Sequence, residues 1–450
     1  MIASLISPTI CLIDDEEIDF RPILEALNGL HLGCVHLKGS NEAELPSAGK
    51  QFKSLRLVFT DLHLSGTYGK AAASHTANVF SRIVSEETGP VLVVIWSKYA
   101  GDVVKADLPS GEEETEAALF KRTLLEAFPN YKEKLIFLEM AKPKPPRAQE
   151  WVDELKAQIN ATLIGQDAVH AVWIWESLVK EAAALVSAGL TTMSVTANDV
   201  SLAQNLTLTL QLLTHAQCEG VPSADAAPRY FASALSQLLL DQLEHLQSVQ
   251  SLTQHGPWLA NKAAGTDLAE RRGKINAGLL TTAAQNTATP LLPGTVYRIS
   301  NHEFFQQSFG FDVLDLMTEL YNGSANGWQD WLKKAAPVLI ELSPACDIDN
   351  GKRRSALFIA GLVLPAATRS SIKAQGDGVH VFPDFELRWT LGDYQPQSSI
   401  LAVLCRYRVT APPTQIPPSL LPWFRLRELP TASLRNLNAG QVSRVGYVSC

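Results

Sequence analysis

The chain predicts an α/β domain with a doubly wound, five-stranded parallel sheet, then an α-helical region, then a β-rich α+β domain. Three observations carry that expectation. Apolar runs recur at 10–13, 31–37, 55–60, 91–96 and 135–138 with helical patterns between them. From 148 to about 285 the apolar residues fall at helical spacing. Past 336 the apolar runs crowd together at strand length.

The first strand is ICLI, 10–13, a short apolar run of the kind that parallel sheets bury on both faces. LRLVFT (55–60) and VLVVIW (91–96) read the same way, HLGCVHL (31–37) more weakly, and LIFL (135–138) closes the set. The interval 98–134 is long, and its GEEETEAALFKRTLLEAF stretch reads as a charged helix. AKPKPPR at 141–147 is a proline- and lysine-rich stop, which sets a domain boundary at 147. Helical stripes follow at 171–186, with Gly189 placed as a terminator, at 198–217, and along Leu235, Leu239, Leu243 and Leu246. Both tryptophans of VWIWE are expected in the core. This middle domain, 148–287, would connect its neighbours and offer a face for a homodimer. The domain at 288–450 is expected to hold a helix at 302–322, strands at 336–343, 355–365, 379–389 and 398–409, and a short helix after Pro430.

The bulk numbers narrow the class. A chain of 450 residues exceeds what one core usually organises. Its net charge of −8 argues against binding nucleic acid with the whole surface. Six cysteines without CxxC pairing suit a reducing cytoplasm and no zinc site. No apolar run reaches bilayer length, so no membrane span is expected.

Chemistry concentrates after the apolar runs. ICLI is followed by Asp14, Asp15, Glu16 and Glu17. Adjacent carboxylates at a strand's carboxyl end repel one another, and a divalent cation would relieve that; an exposed helix start, where acids favour the dipole, accounts for the same letters. Ligands of open α/β sheets bind outside the carboxyl ends of the strands. There the chain places Asp61 after the third run, Ser97 after the fourth and Lys142, followed by Pro143, after the fifth. Three carboxylates could hold octahedral Mg²⁺, an aspartate beside it could attack phosphorus, and the lysine and hydroxyl could bind phosphoryl oxygens.

With these residues in that order, 9–146 resembles the receiver domain of two-component response regulators. The resemblance implies a flavodoxin-like sheet, Asp14 and Asp15 as metal-binding acids with Asp61, and Asp61 as the phosphorylated residue. It further implies Ser97 as the switch hydroxyl, Lys142 as the phosphate-contacting lysine, a cis peptide before Pro143, Mg²⁺ as cofactor and a histidine kinase as partner. Two departures stand out. The Ser97-to-Lys142 interval is about twice the family's usual one, and the position three before the lysine, often aromatic, is Glu139 with Phe137 two residues earlier. The layout also resembles receiver proteins encoded with histidine kinases in bacterial two-component phage-defence systems.

The resemblance covers about a third of the chain. The expected function is therefore phosphoacceptance, relayed to a downstream effector protein or held as a phosphate sink. The alternative is an effector gated by the receiver, whose C-terminal domain binds nucleic acid or is itself an enzyme. Cys346 with His380 is a conceivable but weak catalytic pair, and Arg353, Arg406, Arg408, Arg425 and Arg427 could line an anion or nucleic-acid groove.

Overall fold

The computed structural model describes residues 8–444 apart from 30–31, 42, 48, 65, 99, 106–112, 141, 143–147, 196–200, 218–220, 248–254, 264–266, 285–291, 301–305, 308–309, 323–333, 345–354, 374–377, 390–396 and 413–419. The chain forms two compact units where the sequence suggests three. One is Met1–Glu181 with Leu246–Pro257, the other Ala182–His245 with Trp258–Cys450. The helical stretch expected as a separate domain is divided between them.

The first unit is built on β1 (Ile10–Ile13), β2 (Val35–Leu37), β3 (Leu57–Thr60), β4 (Val91–Trp96) and β7 (Leu135–Met140). They form a parallel sheet in the order β2-β1-β3-β4-β7, the doubly wound arrangement expected. Every residue of β4 is buried, as a central strand covered on both faces requires. Alternation then divides the side chains. Leu12, Phe59, Leu92 and Val94 meet Phe20 and Ile23 of α1 (Glu17–Gly29), Leu155 of α4 (Ala148–Leu163) and Trp173 of α5 (Asp167–Ser194). Cys11, Ile13, Val58, Val93 and Ile95 meet Ala77 and Phe80 of α2 (Gly69–Ile83) and Phe120 and Leu124 of α3 (Glu116–Ala127).

Several details differ from the sequence reading. The charged helix expected from residue 111 starts only at Glu116. Before it, β5 (Val103–Lys105) and β6 (Glu113–Thr115) form an antiparallel hairpin, and the Thr115 side chain then caps α3 by accepting from the Ala118 amide. Gly189 does not end its helix: α5 continues to Ser194, with hydroxyls of Ser187, Thr191, Thr192 and Ser194 bonded to carbonyls one turn back. A helical glycine costs only about 1 kcal/mol relative to alanine, which a long helix absorbs. Of the two tryptophans, Trp173 packs on the sheet and donates to the Pro90 carbonyl at 3.1 Å, but Trp175 is 52% exposed. One turn away, Glu176 pairs with Arg56 at 2.6 and 3.1 Å and ties α5 to the residue preceding β3.

In the second unit, β8 (Thr281–Ala283), β9 (Thr295–Ile299), β10 (Ala336–Glu341), β11 (Ala356–Pro365), β12 (Val379–Val381), β13 (Phe385–Leu387), β14 (Gln397–Ala411) and β15 (Leu420–Leu426) make one antiparallel sheet. The path is β12-β14-β11-β10-β9-β15-β8, with β13 also on β14. The expected strand at 379–389 is two strands, because Pro383 has no N–H to continue a ladder. β8, β9 and β15 were not expected: β8 falls in the stretch read as helical, and Pro422 with a register shift beside it masks β15. Of the helix expected over 302–322, residues 302–305 and 308–309 lie outside the described residues, 306–307 are helical, and Val313–Leu320 is a helix of its own started by a capping box of Asp312 and Asp315. The closing helix, Glu428–Arg444, is long rather than short. No helix among the described residues is long and apolar enough to cross a membrane.

One turn holds several strands of this sheet in register. Gly294 has φ 82°, its amide donates to Glu341 at 2.7 Å, and its carbonyl accepts from Leu426 at 2.8 Å. A Cβ there would lie 2.7 Å from the Leu426 carbonyl oxygen. Gly294→Ala should therefore destabilise the protein by about 2 kcal/mol or more, from a disfavoured φ plus a backbone clash. Chemical denaturation of the variant beside wild type measures this; equal stability would contradict the turn's geometry.

Candidate phosphoryl-binding site

Strand register levels the carboxyl ends of the parallel sheet. Ile13 lies opposite Thr60, Thr60 opposite Ile95, and Trp96 opposite Met140. The next residue of each strand inherits that alignment. The Asp61 amide donates to Ile13 at 3.0 Å, and the Ser97 amide to Met140 at 3.3 Å. Asp14 thus stands beside Asp61 at the tips of β1 and β3, Ser97 follows one residue further along at the tip of β4, and all three are buried.

Lys142 comes from beyond β7 and reaches into the same place. Its Nζ lies 2.9 Å from Asp14 Oδ2, 2.9 Å from Asp61 Oδ2 and 3.0 Å from Asp19 Oδ2. Asp14 also accepts from the Glu16 amide at 2.9 Å, and Asp61 from the Leu62 amide at 2.7 Å. Asp15 is half-buried beside them. Carboxylate oxygens of Asp14, Asp15 and Asp61 all lie within 4.8 Å of one another. These are hard oxygen donors at a spacing that suits Mg²⁺ and does not suit a soft-ligand metal. The residues present therefore fit the ion the sequence reading expects.

Sequence reasoning named Asp14, Asp15, Asp61, Ser97 and Lys142. The structure brings the three acids and the lysine into one cluster and sets Ser97 at the adjoining strand tip. Pro143, with its expected cis peptide, lies outside the described residues. Two members were missed. Asp19 belongs to the same acidic stretch, and the first turn of α1 folds it back over the strand tip. Lys98, next to Ser97, pairs with Asp19 at 2.9 Å and approaches Glu16 at 3.6 Å. The signal available was the four-residue step from Asp15 to Asp19, one turn of a helix that starts where the acids do.

Burial and charge set the protonation states. Burial pushes the Asp14 carboxyl up from its ordinary 3.8 to about 6, with Lys142 opposing and Asp61 adding to the shift. Asp15 is also raised, chiefly by burial. Burial raises Asp19 too, but the hydrogen bonds from Lys98 and Lys142 outweigh it and leave its carboxyl below the usual range. Burial alone would lower Lys142, yet Asp61 and Asp14 hold its ammonium above the ordinary lysine value.

A second arrangement adjoins the first. His63, two residues after Asp61, pairs with Glu116 at 2.5 Å, both side chains 8% exposed, and the Gly69 amide donates to the other Glu116 oxygen at 3.2 Å. Glu116 opens α3, directly after the β5–β6 hairpin. It holds the loop that follows Asp61 at two points, His63 and Gly69. At the position where an aromatic was noted as missing, Glu139 pairs with Lys121 of α3 at 2.5 Å.

Three of the described C-terminal arginines have partners of their own. Arg425 is committed to the Pro293 carbonyl at 2.8 Å and Arg427 to the Gly278 carbonyl at 2.7 Å, while exposed Arg406 faces Glu319 at 3.6 Å. Cys346 and Arg353 lie outside the described residues. His380 packs edge-on against Phe382 at 4.6 Å, and burial lowers its pKa. Comparisons with models of known protein families, with curated proteins and with solved structures gave no match.

A pH prediction follows from Asp14. Its carboxyl is raised in the folded protein, so between about pH 4 and 6 the native state binds more protons than the unfolded state. Stability then falls as pH rises through that window. A two-unit shift corresponds to on the order of 2–3 kcal/mol at most. In chelator, thermal melts of wild type should lose stability from pH 4 to 6 more steeply than those of Asp14→Asn. Equal slopes would contradict the raised carboxyl.

Proposed function

We propose that the first unit is a phosphoacceptor that takes a phosphoryl group from the phosphohistidine of a histidine kinase onto Asp61. The observation that carries this reading is the single ammonium of Lys142 within 3.0 Å of Asp14, Asp19 and Asp61 at the carboxyl ends of a parallel sheet. A buried cluster with more carboxylates than ammonium groups is costly as a structural element. It suits a site that receives a cation and then an anion.

The chemistry assigns each residue a task. A carboxylate oxygen of Asp61 attacks phosphorus in line, the P–N bond to the donor imidazole breaks, and the imidazole keeps the electron pair and takes a proton from solvent. Lys142 and the Leu62 amide fix the Asp61 carboxylate beforehand, so little reorganisation is needed at the moment of transfer. Asp14, Asp15 and Asp61 would hold Mg²⁺, which supplies positive charge opposite the phosphoryl oxygens. Ser97, at the neighbouring tip, is the hydroxyl that would move toward the new phosphoryl group.

Readout would run through Glu116. A phosphoryl group on Asp61 alters the loop that begins at Leu62, and Glu116 grips that loop at His63 and Gly69 while leading α3 out of the hairpin. The hairpin and the start of α3 therefore form the surface that a kinase or an effector protein would sense. An effector with nucleic-acid-binding or enzymatic activity of its own has less support, since Arg425 and Arg427 are engaged with backbone carbonyls.

Two measurements test these roles. Incubated with acetyl phosphate and Mg²⁺, wild type should acquire an acid-stable, base-labile adduct that Asp61→Asn lacks entirely; labelling of Asp61→Asn would remove the nucleophile. Hydrogen exchange should change on phosphorylation across 97–127. Glu116→Gln should keep the label and lose most of that change, whereas an unaltered exchange pattern would dismiss the relay.

A further inference from the structure

The Lys142 ammonium has three N–H donors and no more. It faces three carboxylates, those of Asp14, Asp19 and Asp61, each at hydrogen-bonding distance. Its donor capacity is therefore full. Any anion that gains a hydrogen bond from Lys142 must first displace one of these acids.

The three acids are not equally easy to displace. Asp14 is fully buried, belongs to the strand tip and accepts a second bond from the Glu16 amide. Asp61 is likewise buried and holds the Leu62 amide. Asp19 is different. It sits on α1 rather than on a strand, and the same oxygen that meets Lys142 also meets Lys98 at 2.9 Å. Lys98 is 46% exposed, so Asp19 can leave Lys142 without losing its only cation or being stranded in an apolar interior.

We propose that Asp19 is a positioning residue that fills the third donor of Lys142 until a phosphoryl oxygen takes its place. It is an internal competitor for the anion seat beside Asp61. Lys98 receives it when it yields, and because Lys98 adjoins Ser97, the exchange would draw on the β4 tip as well. The charge count agrees with this use. Five carboxylates, of Asp14, Asp15, Glu16, Asp19 and Asp61, face two ammonium groups, so negative charge stays in excess even with one divalent cation bound. An incoming phosphoryl group brings about two more, which the site accommodates best if one carboxylate withdraws. The biological meaning of the exchange rests on Asp61 being the phosphoacceptor, but the anion seat itself does not.

The test uses the full chain loaded with Mg²⁺ and inorganic phosphate as the probe, with binding read by calorimetry. Asp19→Asn and Asp19→Ala should bind phosphate roughly three- to tenfold tighter than wild type, the Coulomb effect of one removed charge after solvent screening. Lys98→Gln should bind it more weakly, because Asp19 then has only Lys142 to hold. In the Asp19→Ala background the same Lys98 substitution should cost less. Two variants at position 19 guard against one that folds poorly. Phosphate affinity equal to or below that of wild type in the folded Asp19 variants overturns the proposal, as would a Lys98 penalty undiminished by Asp19→Ala. Acetyl phosphate labelling separates the two readings: no adduct on wild type, with tighter phosphate binding in Asp19→Ala, leaves the seat standing and removes the phosphoacceptor.

Discussion

Everything around the carboxyl edge of the parallel sheet depends on one buried ammonium group. Asp14 and Asp61 stand beside each other because their strands are level, and neither can escape to solvent. Two carboxylates in such a place repel and are poorly solvated, which strains the pair and makes one of them take up a proton more readily. Lys142 relieves part of that strain by bridging them with Asp19. Removing it would leave an uncompensated buried cluster, which is far more damaging than losing an exposed pair.

The fold supports this edge with ordinary materials. Apolar strands covered on both faces give rigid tips, and the ladder continues one residue past β1, β3 and β4 to position the side chains that matter. Next to this edge, the β5–β6 hairpin leads into α3, and the Glu116 contact ties it to the loop that follows Asp61. At the other end of the strands, the Arg56–Glu176 pair and the Trp173 hydrogen bond fasten α5 to the sheet. The second unit is organised separately, around a sheet in which β9, β10 and β15 meet at the Gly294 turn.

Legibility followed the range of the interactions. ICLI, LRLVFT, VLVVIW and LIFL were readable as strands because burial on both faces writes itself as uninterrupted apolar residues. Asp14, Asp15, Asp61, Ser97 and Lys142 were readable because each follows such a run. HLGCVHL was barely legible, since β2 is an edge strand only three residues long. TVYRI and LLPWFRL were missed because the first is short and the second is broken by a proline at a register shift. Asp19 left only the faint signal of its four-residue step from Asp15, while Lys98 and the His63–Glu116 pair were invisible for another reason: their partners are set by how α1, the β4 tip and α3 pack, and no local pattern encodes that.

The sequence by itself determined the strand set of the parallel sheet and which side chains sit at the strand tips, because apolar runs are local consequences of where water is excluded. Only the tertiary structure decided how those side chains are shared. Whether Lys142 serves two acids or three, and whether Asp19 also serves Lys98, depends on distances of about 3 Å between residues as far apart as 14 and 142. Such distances come from register and helix packing. Hydrogen bonds and ion pairs lose their strength within an ångström or two, so side-chain chemistry is settled last, once the backbone has brought the tips together.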